Sequence, residues 1–465
     1  MKKSLLIWMF ICACMKLQAQ VNIITTIAGN GIGIYGDSVH DGGPATNAEV
    51  RLPEGLCLDN KGNIYIAEAG NNRVRKIDAF TGIITTIGGT GMHGFSGDNG
   101  PATAAEFVSP EAVFTDTAGN VYIADGGNSR IRKITVATGI VTSIAGSGPS
   151  GLSGGGDSGD GGPATNARIN GPTGLCLDKS GNIYLADWGN NKIKKIDAAT
   201  GIIATVAGNG SAVYPGDGLQ ATNVGISGPI QVFVDNFGDM FICDEYNHAV
   251  RRVSATTNII NTIAGNGAAG FSGDGGPATN AELYLPVGVF VDKQQDIFIA
   301  EWGNGTIRKI AALTGIIATV AGTGTRGFSG DGGPATNATL KCADVFLDKY
   351  GTIYIADYNN NRIRMVRDTT LRVGVATPPG LPKGEEMLCM FPTPARDELT
   401  IECGEESEVR IYNLVGQQIL FFPFEKLRKT KNGVVLDVGY LPSGTYLVQV
   451  TDPSGYRRMG RFVKE

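Results

Sequence analysis

The hydrophobic residues of this chain come in short bursts separated by glycine and polar turns. From Leu52 to Gly89 the sequence LPEGLCLDNKGNIYIAEAGNNRVRKIDAFTGIITTIGG holds four bursts, at Gly55–Asp59, Asn63–Glu68, Arg73–Asp78 and Ile83–Gly88. They are rich in Ile, Val, Tyr and Thr, so each is predicted to be a strand. Asn60-Lys61-Gly62-Asn63 and Thr81-Gly82 lie between them. Glycine there supplies the positive φ of a tight hairpin.

The pattern recurs. The glycine of an AG-x-G tetrad stands at Gly29, Gly89, Gly146, Gly208, Gly265 and Gly322, at intervals of 60, 57, 62, 57 and 57 residues. Four antiparallel strands repeated six times predict an all-β fold, a six-bladed β-propeller. The ends are out of phase with the repeat. Val21–Ala28 (VNIITTIA) is a fourth strand with no first three ahead of it, and Asp344–Val366 has three strands with no fourth behind it. Val21–Ala28 is therefore expected to pair with Arg362–Val366 and close the ring. Closure removes two open sheet edges and adds backbone hydrogen bonds worth ~1 kcal/mol net each. An open solenoid is the alternative topology, and it leaves the matched half-units unexplained.

Within each unit Pro53–Asp59, Gly62–Glu68 and Asn71–Ile77 show the pattern P-x-G-x-x-x-D, G-N-I-Y-I-A-[DE] and N-x-R-[IV]-R-K-I. This resembles the NHL repeat family, over residues 20–366. The insert G-F-S-G-D-G-G-P-A-T-N-A, present as Gly270–Ala281 and Gly327–Ala338, is similar to one common in bacterial extracellular proteins. The fourth-unit form, Gly216-Asp217-Gly218-Leu219-Gln220, lacks the proline.

Composition narrows the partners. The 465 residues include 68 glycines without a Gly-X-Y period, which excludes collagen. The formal charge of −5 comes with no basic stripe, so neither nucleic acid nor an anionic membrane is an expected partner. The histidines are His40, His93 and His248, too few and scattered for a histidine-rich metal site. Cys57, Cys176 and Cys243 read as small buried apolar residues, Cys342 replaces a repeat proline, and Cys389 and Cys403 are a possible pair.

The start, Met1-Lys2-Lys3 followed by the apolar run Leu5–Met15, is too short to span a bilayer. With Leu17-Gln18-Ala19 as a cleavage site, residues 1–19 read as a secretory signal peptide. Lipid attachment at Cys14 is the alternative. No transmembrane segment is expected.

Four polar positions recur in all units. Asp59, Asp116, Asp178, Asp235, Asp292 and Asp348 end the first strand, and Glu68, Asp125, Asp187, Asp244, Glu301 and Asp357 the second. Asn71 and Arg75 have counterparts in every unit, with Lys194 in the third. Sixfold repetition marks structure: turn amides satisfied by Asp and Asn, and Arg or Lys paired with acids between strands. The insert acids Asp41, Asp98, Asp160, Asp217, Asp274 and Asp331 are read as Asp-Gly turns leading into a Pro-Ala-Thr helical turn. Calcium needs 6–8 oxygens from alternating ligands. Asp157-Ser158-Gly159-Asp160 is the nearest approach, so calcium is only a weak candidate and no cofactor is expected. No catalytic residue is identified, and no nucleophile elbow or phosphate loop occurs. No unit is expected to supply an acid outside the sixfold set. A hydrolase or lyase with a metal ion in the central channel is the alternative to a binding module.

Departures from the repeat point to a binding surface. The loop between strands two and three, expected on the insert face, begins Ala69 and Gly126 in the first two units. It then carries Trp188, Glu245-Tyr246, Trp302 and Tyr358 in units three to six. Trp188, Tyr246, Trp302 and Tyr358 form a candidate aromatic arc for a protein or glycan. The competing reading packs these rings over neighbouring inserts.

Residues 367–386 include Pro378-Pro379-Gly380-Leu381-Pro382, a semi-extended linker. Residues 387–465 alternate as strands at Glu398–Glu402, Glu408–Asn413, Gly433–Asp437, Gly444–Thr451 and Met459–Val463, which predicts a small Ig-like β-sandwich. Met390-Phe391-Pro392-Thr393-Pro394-Ala395, Val409–Gln417, Leu441–Tyr446 and Gly460–Glu465 resemble the C-terminal sorting domain of the type IX secretion system. That resemblance implies the type IX machinery as a partner, export through the periplasm, and a secreted or outer-surface location.

Overall fold

The computed structural model of the chain describes residues 22–33, 40–148 and 155–368, and strand segments between Met390 and Lys464. The expected leader, with Cys14, nearly all of the linker, and Cys389 and Cys403 lie outside the described residues. The chain divides into two compact units, Met1–Thr370 and Leu371–Glu465.

The first unit is six antiparallel sheets arranged as the blades of a propeller. Blade one is Pro53–Leu58, Ile64–Glu68, Arg73–Ile77 and Ile84–Gly88 in that order. Blades two to five repeat it from Pro110, Pro172, Pro229 and Pro286. The sixth sheet is Asp344–Leu347, Ile353–Asp357 and Arg362–Asp368, with Asn22–Ala28 antiparallel to the last and Ile24 opposite Val366. First strands of successive blades touch one another and so line the axis. The core lies between blades. The central residue of each second strand, Ile66, Ile123, Leu185, Ile242, Ile299 and Ile355, is completely buried.

Each insert folds over the outer edge of the blade it precedes. Pro44 bridges to Ile83, Pro163 to Ile202, Pro277 to Ile316 and Pro334 to Ile23. In blades two and four Gly100–Pro101 and Leu219–Gln220 form a short fifth strand. The Pro-Ala-Thr segments are single 3-10 turns, as at Ala45–Asn47 and Ala278–Asn280. Outer strands covered in this way present less bare backbone to other chains.

The repeated polar positions hold the blades together internally. Asp59 accepts the amides of Lys61 and Asn63, each at 2.9 Å, and closes its turn. Arg75, fully buried, lies 3.2 Å from Glu68 and 2.8 Å from Asp41. Asp41 also accepts the Thr86 amide at 2.9 Å. Asp274 and Glu301 flank Arg308, and Asp331 and Asp357 flank Arg364. The insert acid is therefore more than a turn residue. It is the second carboxylate of a buried cation and ties insert, third strand and outer strand together. Aromatic rings of the insert complete the arrangement, with Phe328 3.7 Å from Arg362 and Tyr214 3.6 Å from Arg251. Blades three and four depart: Lys194 is held by Asp157 and Asp160, whereas Arg251 pairs with Asp244 and Asp217 accepts from the Tyr214 hydroxyl and the Thr262 amide.

Neighbouring blades are also stapled. After each 3-10 turn that follows strand two, one residue sits near the left-handed region, as Asn72 does with φ 49°. Its side chain accepts an amide of the next blade: Asn72 from Ser109 at 3.0 Å, Asn191 from Gly228 at 2.9 Å and Asn361 from Leu52 at 3.0 Å. Ser129 does the same for Gly171, and His248 for Leu285 through Nδ1 at 3.3 Å. Gly305, at the equivalent place in blade five, has no side chain to offer. There Cys342, in place of proline, donates its thiol to the carbonyls of Glu301 and Thr306. His248 must be neutral at Nδ1 to accept, and burial lowers its pKa accordingly. Replacing His248 with Asn, the residue of three other blades, is expected to leave urea stability unchanged. His248→Ala should lose about 1 kcal/mol.

In the second unit the described residues form two four-stranded antiparallel sheets. One holds Met390–Phe391, Glu398–Ile401, Gly433–Asp437 and Arg428–Thr430, and the other Gln418–Phe422, Glu408–Tyr412, Gly444–Thr451 and Arg457–Lys464. Ile401 and Leu436 of the first sheet are buried, as are Val409, Ile411, Val448 and Val450 of the second. Gln418–Phe422 and Arg428–Thr430 were absent from the sequence expectation, because neither run alternates cleanly. Among the described residues no helix is long and apolar enough to cross a membrane.

Candidate functional site: the mouth of the central channel

The loop between strands two and three meets the start of strand one on the same face. The amide of Ala69 donates to the Leu52 carbonyl, Gly127 to Val108, Gly189 to Asn170 and Trp302 to Leu285. The residues just after each repeat proline therefore stand at the channel mouth on that face.

Close approach of the inner strands dictates small residues there. A Cβ on Gly55 would lie 2.6 Å from the Glu111 carbonyl of the next blade, and one on Gly174 2.6 Å from that of Ile230. Beside these glycines the six strands differ. The residues facing the axis include Glu54, Glu111, Thr173, Ile230, Val287 and Ala343, joined by Gln231 and Asp344. They line a small cavity on the axis that is partly open to solvent. One side is acidic and the other apolar. The expectation that no unit supplies an acid outside the sixfold set is thus corrected: Glu54, Glu111 and Asp344 are three such acids.

Their environments differ. Asp344 accepts the Leu56 amide of blade one at 3.1 Å and the Val345 amide at 2.9 Å. Burial still pushes its pKa up to about 7. Glu111 is pushed up to about 8 by burial and by the charge of Glu245. Glu54 is raised well above the usual carboxylate range by burial, then by Glu111, Asp344 and Glu245. Every charged neighbour that acts on Glu54 is another acid. Thr173 is committed elsewhere, its hydroxyl donating to the Ile230 carbonyl at 2.8 Å.

The four aromatic residues divide into two groups. Trp188 (38% exposed) and Tyr246 (51% exposed) flank Gly228. A Cβ on that glycine would lie 2.6 Å from the Tyr246 ring and 3.2 Å from Trp188 Nε1. Burial raises the pKa of Glu245, and the neighbouring Trp188 indole lowers it in part. Tyr358 is half-buried, its hydroxyl pushed up to about 12 by burial and by Glu54 and Glu111. Trp302 stands apart, packed on the core cluster of Val287 and Phe298, with the Arg326 guanidinium 3.7 Å over its ring. Trp188, Tyr246 and Tyr358 thus border the acids, while Trp302 is covered by an insert residue.

The axial acids escape a reading of the sequence that weighs the positions that repeat. Their signal lies in the residue after each repeat proline, which runs Glu54, Glu111, Thr173, Ile230, Val287 and, after Cys342, Ala343. Among the described residues no group of three or more His, Cys, Asp or Glu is placed to hold a metal ion.

Comparison with known proteins places both units. Residues 51–77 match the NHL repeat, residues 152–214 the teneurin NHL domain, and residues 389–465 the secretion system C-terminal sorting domain. The protein SUPPRESSOR OF QUENCHING 1, chloroplastic, of Arabidopsis thaliana is 29% identical over 290 residues, which cover 60% of this chain and 27% of that protein. Human Teneurin-1 is 26% identical over 390 residues, 76% of this chain and 13% of that protein. The chain therefore matches only a small part of these relatives' length. A crystal structure of an auxiliary nutrient binding protein from Bacteroides ovatus superposes with a TM-score of 0.53 at 16% identity, covering 75% of this chain and 77% of that one. At that identity the likeness is one of fold. The sorting domain marks the protein for export to the cell surface or the medium. The chain is an NHL-repeat β-propeller of six blades that ends in a secretion-system C-terminal sorting domain.

Proposed function

We propose that this protein is an exported binding module that takes an extracellular protein or glycan at the mouth of its channel. One observation carries the reading: Trp188 and Tyr246 stand exposed beside a mouth whose lining breaks the sixfold repeat. Large aromatic rings with polar tips suit recognition, and structure alone gives no reason for the lining to differ from blade to blade. Proteins of similar fold described as auxiliary nutrient binding proteins support the same class of function. In this reading Asn22–Ala28 latches the ring, the two C-terminal sheets pack as a sandwich, and the type IX machinery handles the tail.

The test is a glycan and peptide array probed with the full chain. Trp188→Ala with Tyr246→Ala should weaken binding of the hit at least about tenfold, whereas Trp302→Ala should retain it. Equal binding by the Trp188/Tyr246 variant would sink the reading. Removal of residues 387–465 should leave the protein in the periplasm, as fractionation would show.

A further inference from the structure

The channel mouth holds more acid than the protein itself satisfies. Glu54 and Glu111 accept no hydrogen bond from any described residue, and no cation contributes to the electrostatics of either. Both are half-buried and line the cavity between the inner strands. One carboxylate oxygen of Glu245 is likewise buried without a partner. Carboxyls half withdrawn from water, with neither donor nor countercharge, destabilise a fold, and a ligand that supplies both offsets the loss. The blades show what the fold does otherwise: Glu68, Asp125 and Asp357, fully buried at the ends of second strands, meet Arg75, Arg132 and Arg364.

The missing partner is a cation. A metal ion would need several carboxylates converging on one point, and the described acids do not converge in that way. An organic cation has donors that spread outward and an apolar stem, which matches acids on one side of the cavity and Ile230, Val287 and Ala343 on the other. Trp188, Tyr246 and Tyr358 at the rim add ring faces that attract a cation. A linear apolar stem suits Ile230, Val287 and Ala343 better than a sugar ring, whose edges carry hydroxyls. We infer that the channel mouth receives the side-chain ammonium of a lysine in a partner protein, held between Glu54 and Glu111 with Asp344 beneath. This rests on the binding-module reading and names the chemistry of its ligand.

Protonation makes the inference testable. The groups facing the site are Glu54, Glu111, Asp344, Glu245, Tyr358 and Arg51. The acids are protonated more readily than usual, while lysine keeps its proton to about pH 10. Affinity for a lysine peptide should therefore rise with pH from about 6 to about 8.5, as the carboxyls ionise. A site made only of rings would show no such rise.

The experiment titrates the full chain with an end-blocked Gly-Gly-Lys-Gly-Gly peptide and its acetyl-lysine counterpart, followed by calorimetry. Expected results are binding of the lysine peptide, at least about a tenfold loss on acetylation, and a similar loss in Glu54→Gln and Glu111→Gln. The glutamine variants relieve like-charge crowding, so a thermal melt no lower than wild type shows that lost binding is not lost folding. Equal affinity for the two peptides, or no binding of the lysine peptide at about 1 mM, overturns the inference. So does a chitosan oligomer that binds when the lysine peptide does not. If the array instead yields a ligand that needs Trp188 and Tyr246 but neither glutamate, the cation inference falls and the binding-module reading stands.

Discussion

Replacing Glu54 and Glu111 with glutamine is expected to stabilise the propeller at about pH 8 and to flatten its loss of stability above about pH 5. The sign follows from proton linkage. In the unfolded chain these carboxyls ionise near about pH 4.3. In the folded chain Glu111 ionises near about 8, Asp344 near about 7, and Glu54 well above the ordinary value. The folded state thus keeps protons that the unfolded state has already released. The associated stability is fully present below the unfolded value and is lost as pH rises through the folded ones. Each tenfold difference in proton affinity between the two states corresponds to about 1.4 kcal/mol. Solvent reaches the cavity, so a gain of about 2 kcal/mol at about pH 8 is the expected scale for the double variant. Urea unfolding at a series of pH values measures it. An unchanged slope between about pH 5 and 8.5 would mean that the carboxyls are satisfied in a way the structure does not reveal.

The second large effect concerns the buried cations. Arg308 is fully buried and serves Asp274 at 2.6 Å, the carbonyl of Glu282 and that of Ser272. Glu301, itself fully buried, lies 4.0 Å away. Arg308→Ala removes the only cation facing Glu301 among its named neighbours and leaves a cavity beside the Phe271 ring. The expected cost is about 3–5 kcal/mol, the usual result of stranding a buried charge. Arg308→Met combined with Glu301→Gln should cost less, because no buried charge is stranded and the glutamine oxygen can still accept from the Tyr284 amide and Asn304. If the single and double variants unfold at the same urea concentration, the pair contributes through shape and not through charge.

The architecture was largely legible in the sequence. Period, strand bursts and hairpin glycines are local properties, and six copies averaged out the accidents of any one. The turn role of Asp59 and the Arg–acid pairing were also within reach, because each repeats in every blade. The insert acids were only half understood. Asp41 lies 34 residues from Arg75 in sequence, and nothing in a Gly-Asp-Gly turn announces a guanidinium folded back onto it. The aromatic loop was found because tryptophan in place of alanine is conspicuous. The axial glutamates were missed because a charged residue after a proline resembles a solvated turn. Only the convergence of six inner strands withdraws that position partly from water.

The Gly305 seam has a mechanical consequence. Five of the joints between blades carry a side-chain fastener that reaches from one to the next, and the joint between blades five and six replaces it with a thiol bond. A thiol is a weak donor, so this joint resists shear less than its neighbours. A closed ring under load yields at its softest joint, and here that joint lies next to the strand that brings Asp344 to the axis. Breathing of the ring would therefore widen the channel asymmetrically, on the side where the acidic and apolar halves meet.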